Sequence, residues 1–214
     1  GIADHHAFMR QHARKDAPEP DLDIYVSRCK TGPSKGNHIL EMVIERGMEA
    51  AGYRIFYPEE HTLAEQIATY ARARRLVGVD GSAFHVAATA LAPTARVALI
   101  ARRAYYAGAL ARQVTAFSGA FATEIRAYSE VYAREAGVGK PGEWYKTLVL
   151  TDFEKLAEGL ITHGFLDRHP GWRLPARPRI DSRLGRWGTR LGMKFVRVPD
   201  EILRTEPGAE LDGG

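Results

Sequence analysis

From residue 21 to about residue 128 two hydrophobic rhythms take turns along the chain. Short runs rich in β-branched and aromatic residues have the length and composition of strands: LDIYVS (22–27), YRIFY (53–57), RLVGV (75–79), ARVALIA (95–101) and a run near 121–127. Between them apolar residues recur at helical spacing. One such stretch covers 39–51, with Leu40, Val43 and Ile44 on one face and Gly52 as its stop; others cover 62–74, 82–91 and the region near 105–117. Strand and helix in regular alternation predict an α/β fold, a Rossmann-like parallel sheet with right-handed crossovers and helices on both faces.

Outside that region the pattern changes. Residues 1–20 read as a polar helix closed by the linker Ala17-Pro18-Glu19-Pro20. Past Tyr128, VYAREAGVGKPGEW (131–144) reads as loop and KTLVL (146–150) as one more strand. TDFEKLAEGLITHGF (151–165) reads as a helix opened by the capping box Thr151-x-x-Glu154. The predicted organisation is an N-terminal helix and linker over 1–20, a Rossmann-like domain over 21–167, and an irregular, basic Pro/Gly/Arg-rich tail over 168–214 that wraps the surface. Within the tail, Leu184, Trp187, Leu191 and Phe195 recur at helical spacing beside Arg183, Arg186, Arg190 and Lys194. That stripe can lie on an anionic membrane or dock on the domain. Docking is the expected arrangement, because Gly185, Gly188 and Gly192 each weaken a free helix by about 1 kcal/mol relative to alanine.

Composition narrows the class. Of 214 residues, 45% are hydrophobic and 26% charged, which is ordinary for a globular protein with a core. The single cysteine, Cys29, excludes an internal disulfide and fits a cytoplasmic setting. The longest mostly apolar run, 83–101, is broken by His85, Pro93 and Arg96, so it reads as helix, turn and strand rather than a membrane span. The start has neither a signal-peptide pattern nor an initiator methionine, and the expectation is that the chain begins partway into a longer protein. The net charge of +4, with much of the arginine in the tail, fits a nucleotide, phospholipid headgroups or nucleic acid, and equally a solvated basic surface. No RRM or zinc-finger pattern supports nucleic acid.

In an open parallel sheet, ligands bind outside the carboxyl ends of the strands. Three loops are predicted there. SRCKTGPSKGNH (27–38) brings Arg28, Lys30 and Lys35 together with Gly32 and Gly36, although it is neither a Walker A loop nor GxGxxG. PEEHTLAEQ (58–66) places Glu65 in the first turn of a helix, where capping competes with ligand contact. VGVDGSAFH (77–85) puts Gly81, Ser82 and Ala83 at a helix N-terminus, whose free N–H groups and positive dipole end favour an anion. His85, three residues beyond Ser82, can share that cleft, and N-capping is the plainer role for Asp80 and Ser82. No HExxH, paired CxxC or DxD is present, and no metal is expected; GxSxG is absent too.

The order of these motifs resembles the family 61 glycosyltransferases, which include bacterial capsule and polysaccharide transferases. Their strand ending Y-x-S-R matches Tyr25, Ser27 and Arg28. Their A-E-Q matches Ala64, Glu65 and Gln66, and their V-G-x-H-G-A matches Gly78, Gly81 and Ala83; the series continues in APTARVALI (92–100). The resemblance covers roughly residues 22–101. It implies one Rossmann-like half of a GT-B enzyme, the C-terminal half, which holds a nucleotide-sugar donor, expected to be UDP-linked. That donor is a substrate; no cofactor is implied.

On this reading the donor set is Tyr25, Ser27, Arg28, Lys30, Lys35, Glu65, Gln66, Gly81, Ser82 and Ala83, and the expected catalytic pair is Asp80 and His85. Asp80 stands where the family carries a histidine, and is expected to face ribose or sugar hydroxyls or to orient His85. Asn37-His38 replaces a basic pair. The implied partners are a glycan or lipid-linked glycan acceptor and a missing N-terminal half or partner subunit, with peripheral contact at the inner membrane through the tail. The alternative is a non-catalytic nucleotide- or glycan-binding module.

Overall fold

The computed structural model describes residues 19–102, 108–138, 140 and 146–204. The expected helix of residues 1–18, the start of the 105–117 helix, most of 139–145 and the last ten residues lie outside the described residues.

A five-stranded, all-parallel sheet forms the centre: β1 (Leu22–Val26), β3 (Arg54–Phe56), β4 (Ala73–Val79), β5 (Arg96–Ile100) and β6 (Phe121–Ile125), in the order β3-β1-β4-β5-β6. The helices are α1 (Glu41–Ala50), α2 (Leu63–Ala71), α3 (Ala83–Ala90), α4 (Ala109–Ser118), α5 (Phe153–Thr162) and α6 (Arg177–Leu191). Alternation along the strands divides the apolar residues between two faces. Ile24, Val26, Leu76, Val97 and Leu99 meet Tyr70 of α2, Phe84 and Ala87 of α3, and Val114 of α4. Tyr25, Val77, Val79, Ala98 and Ile100 point the other way, onto Ile44 of α1, Leu156 and Leu160 of α5, and Ile180 and Leu184 of α6. Helices therefore cover both faces, and the α/β expectation holds.

The boundaries moved where a side chain had a better use. α1 ends as expected, with Gly52 at φ +89°, a left-handed conformation that suits glycine. The helix expected over 62–74 stops at Ala71; Ala73 already pairs with Leu22 as strand, and Arg74 and Arg75 reach Asp23. Residue 151 does not cap α5. Its hydroxyl bonds His38, and Asp152 takes over the cap by accepting from the Lys155 amide at 3.1 Å.

A second sheet is the larger departure. Its order is β2 (Asn37–His38), β8 (Leu148–Thr151), β7 (Tyr128–Arg134) and β9 (Phe195–Arg197), with β2 parallel to β8 and β7 antiparallel to both its neighbours. Only β8 was expected. Part of the stretch read as loop is β7, and part of the basic tail is the regular helix α6 and the edge strand β9. A short helix, α7 (Asp200–Arg204), supplies Ile202 and Leu203 to the apolar cluster of Val131, Ala133, Val149 and Val198. The tail stripe docks: Ile180 and Leu184 are buried, and Trp187 packs against the core. Phe195 is in β9 rather than in the helix. Among the described residues no helix is long and apolar enough to cross a membrane.

Candidate functional site

After β1 the chain moves outward to β3, then crosses back past β1 to β4 and onward to β5. The direction of winding reverses between β1 and β4, so their C-terminal loops splay apart and leave a crevice. A cleft of about 340 Å³ opens there, lined among others by Ser27, Arg28, Lys35, Gln66, Gly81 and Ser82. All three expected loops meet at it.

Its floor is positive for two reasons. The Arg28 guanidinium lies on Gly81, so close that a Cβ at Gly81 would come within 2.6 Å of Nη1. A side chain at 81 would push the Arg28 guanidinium aside, so glycine there leaves the cation its place. Ser82 makes no side-chain cap for α3, and the amides of Gly81, Ser82 and Ala83 have no hydrogen-bond partner among the described residues. Three unsatisfied donors at the positive end of a helix, beside a guanidinium, form a site for an anionic group. Lys35 is exposed at the rim, without an ion-pair partner among the described residues.

Buried polar groups hold this floor in place. Ser27 is fully buried; its Oγ accepts from the Cys29 amide at 3.0 Å and donates to Glu45. Behind it lies Glu41, 1% exposed, which accepts at Oε1 from the Arg28 amide at 2.7 Å and from the Tyr25 hydroxyl at 3.4 Å. Its other oxygen is buried without a partner. Burial pushes the Glu41 carboxyl up to about 7, against the opposing pull of the Arg28 amide and charge. Burial and the Glu41 charge likewise raise the Cys29 thiol, which keeps it protonated and unreactive.

Two clasps fix the loops to one another. Arg102, buried just past β5, pairs with Asp80 at 2.8 Å and donates to the Asp80 carbonyl and, at 2.9 Å, to the Lys35 carbonyl. His38, fully buried, sits 3.1 Å from the Ala101 carbonyl through Nε2 and 2.8 Å from the Thr151 hydroxyl through Nδ1. A carbonyl only accepts, so Nε2 carries the proton and Nδ1 accepts from Thr151. Burial drives the His38 imidazole down to about 3, so it stays neutral.

The sequence-predicted residues thus divide. Ser27, Arg28, Lys35, Gln66, Gly81, Ser82 and Ala83 line the cleft. Gln66 also braces the β3 loop, donating to the Pro58 and His61 carbonyls at 2.9 and 3.1 Å. Tyr25 is a core residue behind Glu41. Lys30 turns away to Glu60 at 2.7 Å, with its ammonium over the Tyr57 ring at 3.8 Å. Glu65 closes a capping box with Thr62 and is exposed, the capping role that competes with ligand contact.

Neither member of the expected catalytic pair faces the cleft. The Asp80 carboxylate is engaged by Arg102, which also removes the repulsion an aspartate would bring to an anion site. His85 is exposed on α3, and Val86 rather than His85 borders the cleft. Sequence reasoning missed Glu41, Arg102 and His38. A glutamate at the start of an otherwise apolar helix face was the visible signal for Glu41; nothing local marked the other two. Among the described residues no group of three or more His, Cys, Asp or Glu side chains converges.

The family model described as Glycosyltransferase 61 matches residues 1–98, a stretch that contains every residue of the cleft. That match supports a glycosyltransferase function. No curated protein and no solved structure matches the chain.

Proposed function

We propose that this chain is the donor-binding half of a glycosyltransferase, taking a hexosyl or pentosyl group from a nucleotide-sugar to a glycan or polysaccharide acceptor. The observation that carries this reading is the cleft at the β1/β4 crevice, where Arg28 lies against Gly81 at the N-terminus of α3, whose first amides have no partner among the described residues. Glycosyl transfer breaks the bond between the anomeric carbon and the diphosphate, and negative charge grows on the departing oxygen. Preorganised donors stabilise that charge without reorganising at the moment of reaction. In this assignment Arg28 and the Gly81–Ala83 amides hold the diphosphate, Lys35 closes over it from the rim, and Glu41 positions Arg28 from behind. The acceptor's general base comes from elsewhere in the assembled enzyme.

Calorimetry with UDP and UDP-sugars tests the reading, and no binding by any nucleotide overturns it. Arg28→Ala removes a charge-assisted contact and is expected to weaken nucleotide binding about tenfold or more. Lys35→Ala, at an exposed side chain, is the companion variant that leaves folding intact.

A second reading, a binding module without transferase activity, is favoured by one observation: Asp80 is locked to Arg102 and His85 lies outside the cleft. Nucleotide binding without hydrolysis or transfer of any UDP-sugar, in the presence of the complete protein, selects it.

A further inference from the structure

We infer that the pocket between α1 and α6 is a second anion site, shaped for a ligand of the diphosphate class. The pocket measures about 340 Å³ and is ringed by Arg46, Arg173, Arg179, Arg183 and Arg186 over an apolar floor that includes Leu40, Val43 and Pro175. It shares no lining residue with the cleft. One helix separates the two: Glu41 and Glu45 of α1 bond the loop after β1, while Leu40, Val43 and Arg46 border the pocket.

Several arginines of the chain pair with acids, as in Arg72 with Asp21, Arg74 and Arg75 with Asp23, and Arg177 with Glu130 and Asp181. None of the five pocket arginines has an ion-pair partner among the described residues. Arg183 stands four residues from Arg179 and three from Arg186 on α6, spacings at which like charges repel. The fold thus assembles a repulsive cluster around a concavity.

Arg183 is the deepest of them. It is half-buried, its Nε is buried with no hydrogen-bond partner, and its guanidinium lies over the Trp187 ring at 4.6 Å. Burial lowers its affinity for its own proton and the neighbouring Arg186 charge adds to this, while Cys29 and Glu41 pull the other way.

The chemistry of the ring selects the ligand. Guanidinium forks match phosphate oxygens bidentately, and an apolar floor lowers the local dielectric and strengthens each contact. A phosphate group carries about −1.5 to −2 charges at neutral pH, so two linked phosphates approach the charge of the ring, whereas one carboxylate does not. The diphosphate comes either free or as the headgroup of a lipid.

Calorimetric titration of the whole protein with inorganic pyrophosphate tests the site, with UDP titrated in parallel as a report on the cleft. Arg179→Gln/Arg186→Gln changes two exposed side chains and preserves the fold. In an Arg28→Ala background, where the cleft's own hold on a diphosphate is weakened, the expected result is saturable pyrophosphate binding that the double variant weakens at least tenfold; with Arg28 in place, the double variant still binds UDP at the cleft. Co-sedimentation with phosphatidylcholine vesicles, with and without a polyprenyl diphosphate, then separates the sources. Preferential sedimentation with the diphosphate-bearing vesicles identifies a lipid headgroup; soluble binding without that preference identifies a free diphosphate. The inference is overturned if pyrophosphate fails to saturate, or if the double variant binds it as tightly as the parent. It is overturned too if phosphatidylglycerol vesicles are bound as well as diphosphate-bearing ones, since a diffuse basic surface would do that.

Discussion

The two sheets use similar apolar residues and reach comparable burial, yet they are assembled on different principles. In the five-stranded sheet each strand is joined to the next through one α-helix, with β2 also lying between β1 and β3, and the cleft lies where the winding reverses. In the four-stranded sheet β2 is two residues long and pairs with a strand that the chain reaches only at Leu148. The first sheet supplies the groups that would touch a ligand. The second supplies the restraint that keeps the loop after β1 in place, through His38 and the backbone pairing beside it. Local pattern builds a site; distant pairing fixes it.

The comparison breaks most visibly at Gly78. It lies opposite Val26 in the first sheet, and a Cβ there would come within 2.6 Å of the Val26 carbonyl and 2.9 Å of its Cβ. Gly78→Val is expected to lose about 3 kcal/mol or more, because two adjacent strands must separate, and urea denaturation should show it.

His38→Ala attacks the second sheet instead. It leaves the Ala101 carbonyl and the Thr151 hydroxyl unsatisfied in the interior, an expected loss of about 2–3 kcal/mol. Hydrogen exchange should quicken first in β2 and β8, with the β1–β4–β5 core still protected. The pH dependence has a definite sign. The folded imidazole is held at about 3 against 6.5 in the unfolded chain, so its contribution is present above about 6.5 and is lost as pH falls toward 3. The variant should flatten that acid limb.

These two positions also mark how far the sequence could be read. Gly78 sat in a run, RLVGV, whose strand character and place in the series were evident, and so the parallel sheet, the helices on both faces and the meeting of three loops were all legible. Arg28 and Gly81 were legible as residues of the cleft for the same reason: one follows a strand end and the other precedes a helix start. His38 looked like half of a missing basic pair. Its actual partners, Ala101 and Thr151, lie far along the chain, and no periodicity links them. Asp80 is a similar case, held by a distant partner. An acid beside a helix start reads as a cap or a catalytic group until Arg102, twenty-two residues on, is seen to hold it.

A finer test concerns Glu41, which joins the two sheets' work by holding the Arg28 amide. Its folded carboxyl titrates near 7 against 4.5 unfolded, so the stability it contributes as a neutral acid is present below about 4.5 and is lost as pH rises through 7. Glu41→Gln, neutral at every pH, should remove that slope and leave the variant relatively more stable at pH 8, as thermal melts across pH 4–9 would show.

The smallest effect is expected at Glu65. Because it caps α2 and does not enter the cleft, Glu65→Ala should lower Tm slightly and leave nucleotide affinity unchanged. A loss of nucleotide affinity there would reinstate the residue in the site.

The pairing of β2 with β8 has a further consequence for how the protein is made. A chain is synthesised from its N-terminus, and domains built from distant contacts must wait for the later partner. Every residue that lines the cleft has been translated by Val86, but Asn37 and His38 have nothing to pair with until residues 148–151 exist. For that interval the ribosome carries a nascent chain whose cleft-lining loop is complete in sequence and unanchored in space. Binding competence should therefore appear late in translation, in one step, when β8 arrives.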